Sequence, residues 1–367
     1  MNKKSNKIII PILVFAAFVG GSTWTYLVIN QLSRRTITSI TKGGSYTINE
    51  NSISGAVEKI YDATVTVATY KDGKAVSTGT GFVYKKEGST AYIMTNNHVI
   101  SGGDSAKAIF SDGTSADTKI LGGETYSDIA VLTVSAASIK QIATIGNTDN
   151  IKLGDTTFAV GAPLGDTYSG TVTKGILSGK DRLVAVSFSG STSDYYMKVL
   201  QTDAAINSGN SGGPLCNSNG EVIGITSLKL VSSGVEGMGF AIPIENAITK
   251  AEQIISGDSY EYPYLGIQML DITDAYSLYQ YYDLIKSSGL SSGVLVASIE
   301  KGSPASKAKF EKNDIITKID GNDIKNLAYL RYYLYQHKVG DTIKVTVYRD
   351  GKTKELSVTL GTNKQTT

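Results

Sequence analysis

Between residues 63 and 242 the sequence is a succession of short runs rich in β-branched residues, bounded by glycine, asparagine, aspartate or serine. Strands of this number and spacing, with little helical periodicity between them, indicate an antiparallel barrel or sandwich. One amphipathic helix closes the region, because Ile244, Ile248, Ala251 and Ile255 recur at helical intervals. The predicted strands are Ala63–Tyr70, Gly79–Tyr84, Thr90–Met94, Ala106–Phe110, Ile129–Val134, Thr157–Val160, Gly170–Ser178, Lys198–Thr202, Val222–Leu228 and Met238–Ile242.

A second, smaller module begins near Pro263, after the glycine and serine break at residues 256–259. A helix is predicted from about Asn326 to His337. We therefore expect domains at 52–256 and 263–361, a connecting linker at 257–262 and a polar tail at 362–367. Further strand patterns in this module are Gly293–Ile299, Asp314–Ile319, Thr342–Arg349 and Lys354–Leu360.

The N-terminus carries lysines followed by an uncharged, mostly apolar run from Ile8 to Ile29. A helix of this length reaches roughly 33 Å at ~1.5 Å per residue, enough to cross a bilayer core. A cleaved signal peptide is the alternative, but it would have a shorter apolar run and a small-residue cleavage site, which is not evident here. The lysines favour a cytoplasmic segment at 1–7, although Arg34 and Arg35 weaken that bias. We expect a single-pass anchor at 8–29, a linker at 30–51 and both domains outside the cytoplasm.

Charge and cysteine content exclude some classes of protein. The 35 Lys and Arg residues nearly balance the 33 Asp and Glu residues, which argues against a nucleic-acid partner because phosphate binding needs a basic excess. The single Cys216 excludes an internal disulfide. No spacing of metal ligands or phosphate-binding glycines appears, so the sequence implies no metal and no cofactor.

The most informative motif is Gly-Asn-Ser-Gly-Gly-Pro at 209–214. A serine hydroxyl becomes a nucleophile when an imidazole removes its proton, and flanking glycines allow backbone N–H groups to converge on the resulting oxyanion. A glycine and serine cluster alone is more often a plain turn, so the assignment of a nucleophile depends on whether the sequence also supplies a histidine and an acid. His98, one of two histidines, ends an apolar strand, and Asp128 stands at the mouth of another.

The order His98, Asp128, Ser211 resembles that of the chymotrypsin-like serine proteases. The absence of disulfides, Asn210 before the serine, the anchor and the trailing module are similar to membrane-anchored bacterial members of the HtrA/Deg family. The resemblance extends from about Ser52 to Gly361. It implies a mainly β fold, with a chymotrypsin-like double β-barrel followed by a small α+β PDZ domain, and homotrimers formed through the protease domains.

The resemblance also implies the role of each matching residue. Ser211 would attack the scissile carbonyl, His98 would act as base and then acid, and Asp128 would hold the imidazole. The N–H groups of Gly209 and Ser211 would form the oxyanion hole. Arg182 matches a family arginine that relays activation from the loop at about 184–195; an ordinary solvated charge is the alternative.

The substrate preference follows from the lack of an acidic residue at one position before the nucleophile. Ala205 stands where trypsin-like members carry an acid, and Ile206 follows it. This pattern favours small or medium aliphatic residues before the cleaved bond. Residues Thr226, Ser227 and Leu228 lie where the family pairs the substrate backbone as an added strand, which selects unfolded segments.

The second module resembles a bacterial protease PDZ domain in its stretch Tyr264, Leu265, Gly266 and Ile267. This stretch would present N–H groups to the carboxylate of a peptide C-terminus, which the domain would bind. The sequence departs from the family pattern in two places, both of which concern turn geometry: Lys309-Phe310 replaces Gly-Leu, and Asn313 replaces a glycine.

Together these features predict an HtrA-type serine endopeptidase that acts on misfolded or exported proteins outside the cytoplasm. A holdase or peptide-binding scaffold with a resting protease domain is the alternative. The complete set of catalytic residues favours the enzyme.

Overall fold

Two closed β-barrels of six strands each make up the first part of the chain. The computed structural model describes residues 53–162, 170–187, 194–228, 237–257 and 261–362. The first barrel contains β1 (Thr64–Lys71), β2 (Lys74–Glu87), β3 (Thr90–Asn96), β4 (Ser105–Ile109), β5 (Ser115–Glu124) and β6 (Ile129–Ser135). The second contains β7 (Thr156–Gly161), β8 (Thr171–Val186), β9 (Tyr195–Thr202), β10 (Pro214–Asn217), β11 (Val222–Thr226) and β12 (Gly239–Pro243). The strand orders are β1-β2-β3-β6-β5-β4 and β10-β11-β12-β9-β8-β7.

Strands such as β3 are apolar on both faces because both faces are buried. Ala91 and Ile93 point into the first barrel, whereas Met94 joins a cluster shared by both barrels. Phe82 and Phe158, one from each barrel, are fully buried in this shared cluster. The hydrophobic effect therefore stabilises the contact between the two barrels as well as the interior of each barrel.

Helices seal the double barrel. They are α1 (Ser54–Tyr61), α2 (Asn97–Ile100) and α3 (Ile244–Ser256). Ile60 of α1 and Ala247 and Ala251 of α3 are buried in the shared cluster. The observed α3 matches the helix predicted from the apolar spacing, and it ends at Gly257 in a left-handed C-cap.

The C-terminal part is an α+β domain built on a six-stranded sheet. The strands are β13 (Pro263–Tyr264), β14 (Ile267–Asp271), β15 (Val294–Ile299), β16 (Ile315–Ile319), β17 (Asn322–Asp323), β18 (Thr342–Arg349), β19 (Lys352–Thr359) and β20 (Gly361–Thr362). The sheet order is β14-β15-β16-β18-β19, with β17 paired to β16, and β13 pairs with β20. The helices are α4 (Ala275–Gln280), α5 (Tyr282–Ser288), α6 (Pro304–Lys307) and α7 (Leu327–Leu334). The mainly β fold class predicted from the sequence is confirmed.

Helix α7 contacts the second barrel. Arg331 donates from Nη1 to the carbonyl oxygen of Asp194 at 2.6 Å. Just beyond α7, the ring of Tyr335 lies edge-on to that of Tyr126, with centroids 5.0 Å apart. Tyr126 belongs to the turn between β5 and β6, so the C-terminal domain contacts both barrels.

Two residues of the C-terminal domain that replace expected glycines keep the turn geometry. Lys309 and Asn313 both adopt positive φ, +63° and +76°. The Arg349 guanidinium supports them, donating to the Lys309 carbonyl at 3.0 Å and to both carboxylate oxygens of the buried Asp314, at 2.6 and 2.7 Å. The hydrogen bonds to Asp314 raise the pKa of Arg349.

The predicted membrane span at 8–29 lies outside the described residues. Within the ranges that the structure describes, no helix has both the length and the apolar character needed to span a membrane.

Candidate active site

The site is built around a buried carboxylate. Asp128 is 1% exposed. Its Oδ1 accepts a hydrogen bond from the His98 backbone N–H at 3.0 Å, and its Oδ2 lies 2.8 Å from Nδ1 of the same histidine. Ser227 Oγ donates to Oδ2 at 3.1 Å. Because Nδ1 faces the carboxylate, it carries the ring proton and Nε2 remains free to act as a base.

Strand pairing explains why the histidine and the aspartate meet. His98 lies on α2, directly after β3, and Asp128 directly precedes β6. These strands are antiparallel, with Asn96 opposite Ile129 at the end of the ladder. Residues just beyond this pair therefore lie at the same edge of the first barrel, and the sequence spacing alone could not show this.

Ser211 lies in a tight turn before β10. Asn210 N–H donates to the carbonyl of Asn207 at 3.0 Å, and Gly209 has φ +101°. Gly212 has φ +86°, and a Cβ atom there would fall 2.2 Å from the carbonyl oxygen of Thr80. Only glycine fits this approach, which explains the glycine after the serine.

Two threonine hydroxyls fix this turn, one from each barrel. Thr80 Oγ1 donates to the Gly209 carbonyl at 2.6 Å and accepts from Ala162 N–H at 3.0 Å. Thr226 Oγ1 donates to the Asn210 carbonyl at 2.6 Å. Sequence reasoning missed Thr80, although the glycines on both sides of it are a signal of close backbone approach in a strand.

The Ser211 hydroxyl contacts the backbone that follows β11. Ser211 Oγ accepts a hydrogen bond from Leu228 N–H at 3.1 Å. Within the described parts of the chain, no hydrogen bond joins Ser211 to His98. The N–H groups of Gly209 and Ser211 donate to no described residue and stay available to an oxyanion. The His98–Asp128 pair is assembled, and because Ser211 Oγ only accepts from Leu228, its own proton is not used in that contact.

The residues predicted to bind substrate separate into two groups. Ala205 is exposed, and Ile206 is half-buried against the core of the second barrel. Leu228 is also half-buried. Thr226 and Ser227 are fully buried, and their hydroxyls bind the nucleophile turn and Asp128 as described above. Ala205, Ile206 and Leu228 are therefore the members of the set with accessible side chains.

Arg182 is exposed on β8, where it pairs with Val199. Its Nε would lie 2.8 Å from a Cβ atom on Gly179, so the guanidinium lies over that glycine. The predicted relay loop at about 184–195 lies partly outside the described residues, which omit 188–193. In the part of the chain that the structure covers, His, Cys, Asp and Glu form no group of three that could hold a metal ion.

The predicted carboxylate-binding loop connects β13 to β14. The carbonyls of Leu265 and Gly266 accept from Ala305 and Glu300 N–H, both at 2.9 Å. The Leu265 and Gly266 N–H groups donate to no described residue. Tyr264 precedes them in β13, and Ile267 begins β14, which is an edge strand. The loop thus has free donors beside an open strand edge.

Comparison with protein families identifies both domains. The model described as "Trypsin-like peptidase domain" matches residues 79–225, and the "PDZ domain" model matches residues 263–360.

Several curated proteins are similar to this chain. Serine protease Do-like HtrB of Bacillus subtilis (strain 168) is 42% identical over 76% of this chain and 61% of its own length. Serine protease Do-like HtrA of Lactobacillus helveticus is 37% identical over 89% of this chain and 83% of its own length. The chain therefore spans about three fifths of the Bacillus relative and most of the Lactobacillus one.

Solved structures of HtrA-type and related serine proteases are also similar to this chain. The HtrA-type protease AlgW with a tripeptide is 30% identical, with a TM-score of 0.62, over 84% of this chain and 96% of that chain. The serine endoprotease from Yersinia pestis is 27% identical, with a TM-score of 0.61, over 84% of this chain and 97% of that chain.

Proposed function

Because the chain belongs to the HtrA (Do-like) family of serine proteases, we propose that it is a serine endopeptidase acting through Ser211, His98 and Asp128. The observation that carries this proposal is the distance of 2.8 Å between His98 Nδ1 and the buried Asp128 carboxylate. This contact leaves Nε2 to take the proton of Ser211 as its oxygen attacks the scissile carbonyl. His98 then returns the proton to the leaving amine. The free N–H groups of Gly209 and Ser211 stabilise the oxyanion.

The contact between Leu228 N–H and Ser211 Oγ places residues 226–228 beside the nucleophile. A substrate in extended conformation that pairs with residues 226–228 would bring its scissile carbonyl to the Ser211 hydroxyl. Only a chain that can add as a strand does this. We therefore propose misfolded, unfolded or newly exported proteins as the substrates.

The proposed cleavage preference is for small or medium aliphatic side chains before the scissile bond. Ala205 and Ile206 stand where an acid would receive a basic side chain, and neither offers charge. Mapping of cleavage sites in one denatured protein tests this preference. Predominant cleavage after Lys or Arg would contradict it.

The C-terminal domain is proposed to capture peptide C-termini. The free N–H groups of Leu265 and Gly266 can bind a carboxylate while the peptide pairs with β14. Peptides that end in a free apolar carboxylate should bind more tightly than their amidated forms. Equal affinity would contradict the proposal.

Membrane anchoring through residues 8–29, with both domains outside the cytoplasm, is proposed from the sequence alone. A chain lacking these residues should leave the membrane fraction, whereas the full chain should resist alkaline carbonate extraction. We also propose that the chain forms homotrimers, and sedimentation of the detergent-solubilised chain tests this.

For Arg182 we propose a role in relaying activation. The variant Arg182→Ala tests this role by its effect on peptide-stimulated cleavage.

Digestion of unfolded casein by the purified full chain tests the enzyme assignment. Ser211→Ala should abolish cleavage, and Ser208→Ala, an exposed serine in the same loop, should retain it. Equal digestion by wild type and Ser211→Ala would contradict the assigned nucleophile. Casein kept soluble but uncut by both would favour a holdase.

A further inference from the structure

Glu124 closes the turn that leads into the catalytic aspartate. It is the last residue of β5 and is 8% exposed. Its Oε1 accepts a hydrogen bond from Tyr126 N–H at 2.7 Å, and its Oε2 accepts from Ser127 N–H at 2.6 Å. The two carboxylate oxygens therefore bind the N–H groups of the two residues that precede Asp128. Charge-assisted hydrogen bonds of this kind are stronger than those between neutral groups.

The backbone conformation at the end of this turn is a disfavoured one. Asp128 has φ +55°, in the left-handed region that residues with a Cβ atom seldom adopt. Its carbonyl accepts from Asn97 N–H at 3.0 Å and from Asn96 Nδ2 at 2.9 Å. The Asp128 backbone is thus held after the residue by the end of β3 and before it by Glu124. Aspartate visits this region more readily than most residues, so these contacts select the conformation from those open to the residue.

The direction of the Asp128 side chain depends on this backbone. A change of φ at the residue would swing its Cβ and move the carboxylate away from His98. The packing of Tyr126 limits the alternatives, because its ring also contacts those of Tyr195, Tyr262 and Tyr335, with centroids 4.7 to 5.3 Å apart.

We propose that Glu124 is a positioning residue for peptide hydrolysis: by capping Tyr126 and Ser127 it keeps Asp128 in the left-handed conformation that orients His98. The inference rests on the proposed function, since the orientation of His98 has a kinetic effect only if it is the base. Glu124 touches neither His98 nor Ser211 through any hydrogen bond of the described chain. It acts through the backbone of Asp128.

The test compares Glu124→Gln with the matched control Glu245→Gln in the full chain. Glu245 also accepts from a backbone N–H, that of Thr148, but it lies on α3 and binds no part of the Asp128 turn. For each protein, kcat and KM are measured on an unfolded peptide substrate. A displacement of catalytic groups by a fraction of an ångström to about 1 Å lowers the rate by tenfold to a hundredfold. We expect Glu124→Gln to lower kcat by about this factor with KM within about twofold, and Glu245→Gln to change neither.

A second measurement follows the geometry itself. The Nδ1 proton of His98, held by Asp128, should give a low-field proton NMR signal, and His337→Gln removes the other histidine so that the signal is unambiguous. Glu124→Gln should shift or broaden this signal, and Glu245→Gln should leave it in place. Should Glu124→Gln unfold, Glu124→Asp, which keeps the charge but shortens the reach to the two N–H groups, takes its place in the same measurement.

The outcomes separate this inference from the proposed function. A folded Glu124→Gln protein with wild-type kcat and an unchanged His98 signal overturns the inference, as does an equal loss in Glu245→Gln. Lys250→Met serves as the charge control, because Lys250 interacts electrostatically with Glu124; an equal effect there would mean that charge, and not capping, is what matters. If wild type cleaves nothing, the proposed function fails, while the NMR comparison still decides the role of Glu124.

Discussion

Thr80 offers the sharpest perturbation of the nucleophile turn. Thr80→Val keeps the shape of the side chain but removes the donor to Gly209 O and the acceptor for Ala162 N–H. Each buried backbone group left unpaired costs about 1–3 kcal/mol. The turn can avoid this cost by moving. Because the loss of one oxyanion donor costs about 3 kcal/mol in the transition state, or 10²–10³ in rate, a partial shift of the Gly209 peptide should lower kcat by about tenfold to a hundredfold.

The assay measures kcat and KM on a fluorogenic peptide together with the free energy of unfolding in urea. Thr118→Val is the matched control, since Thr118 Oγ1 donates to the Ala106 carbonyl at 2.8 Å in the same barrel but away from the turn. Both variants should lose stability, and only Thr80→Val should lose kcat. A Thr80→Val enzyme with full kcat, or an equal kcat loss in Thr118→Val, would refute the claim that Thr80 sets the conformation of this turn.

Three further predictions concern stability, each measured by urea denaturation. Arg349→Met leaves the buried carboxylate of Asp314 without its guanidinium and should cost the C-terminal domain about 3–5 kcal/mol, so a loss below about 1 kcal/mol would contradict the account. Lys309→Gly relieves a φ of +63° and should raise the free energy of unfolding by about 1 kcal/mol, whereas a decrease would argue against strain at this turn. Burial lowers the pKa of Lys250, and the charge of Glu124 partly opposes this shift. Because the unfolded chain then binds the proton more tightly, the free energy of unfolding should rise with pH up to the ordinary lysine pKa of about 10.4. Lys250→Met should remove that rise, and an unchanged slope would contradict the prediction.

The strands that sequence patterns predicted best are those buried on both faces. Near-continuous apolar runs identified β3 and β6, because one face fills the first barrel and the other packs between the barrels. Strand β5 (Ser115–Glu124) was missed, since nine of its ten residues are exposed or partly exposed and it contains two adjacent glycines. Strand β10 was missed because it is short, only Pro214–Asn217, and directly follows the nucleophile turn.

The candidate site was predictable where chemistry is local and unpredictable where it depends on tertiary contacts. The serine motif could be recognised because its glycines serve a turn. The role of Ser227 could not, because its hydroxyl meets Asp128 only when the two barrels pack together. The same holds for Thr80, whose partner Gly209 lies far along the chain. Lys309 shows the converse: a residue that departs from the family pattern adopts the glycine conformation because Arg349 supports its carbonyl.

Covalent labelling by an organophosphonofluoridate tests the central claim most directly, because the reagent reacts with a serine only when an imidazole activates it. We expect mass spectrometry of the labelled wild-type chain to find the adduct on Ser211, with labelling slowed about 10³-fold or more in His98→Gln and in Asp128→Asn. An adduct on another serine, or equal labelling rates in the wild type and His98→Gln, would contradict the account.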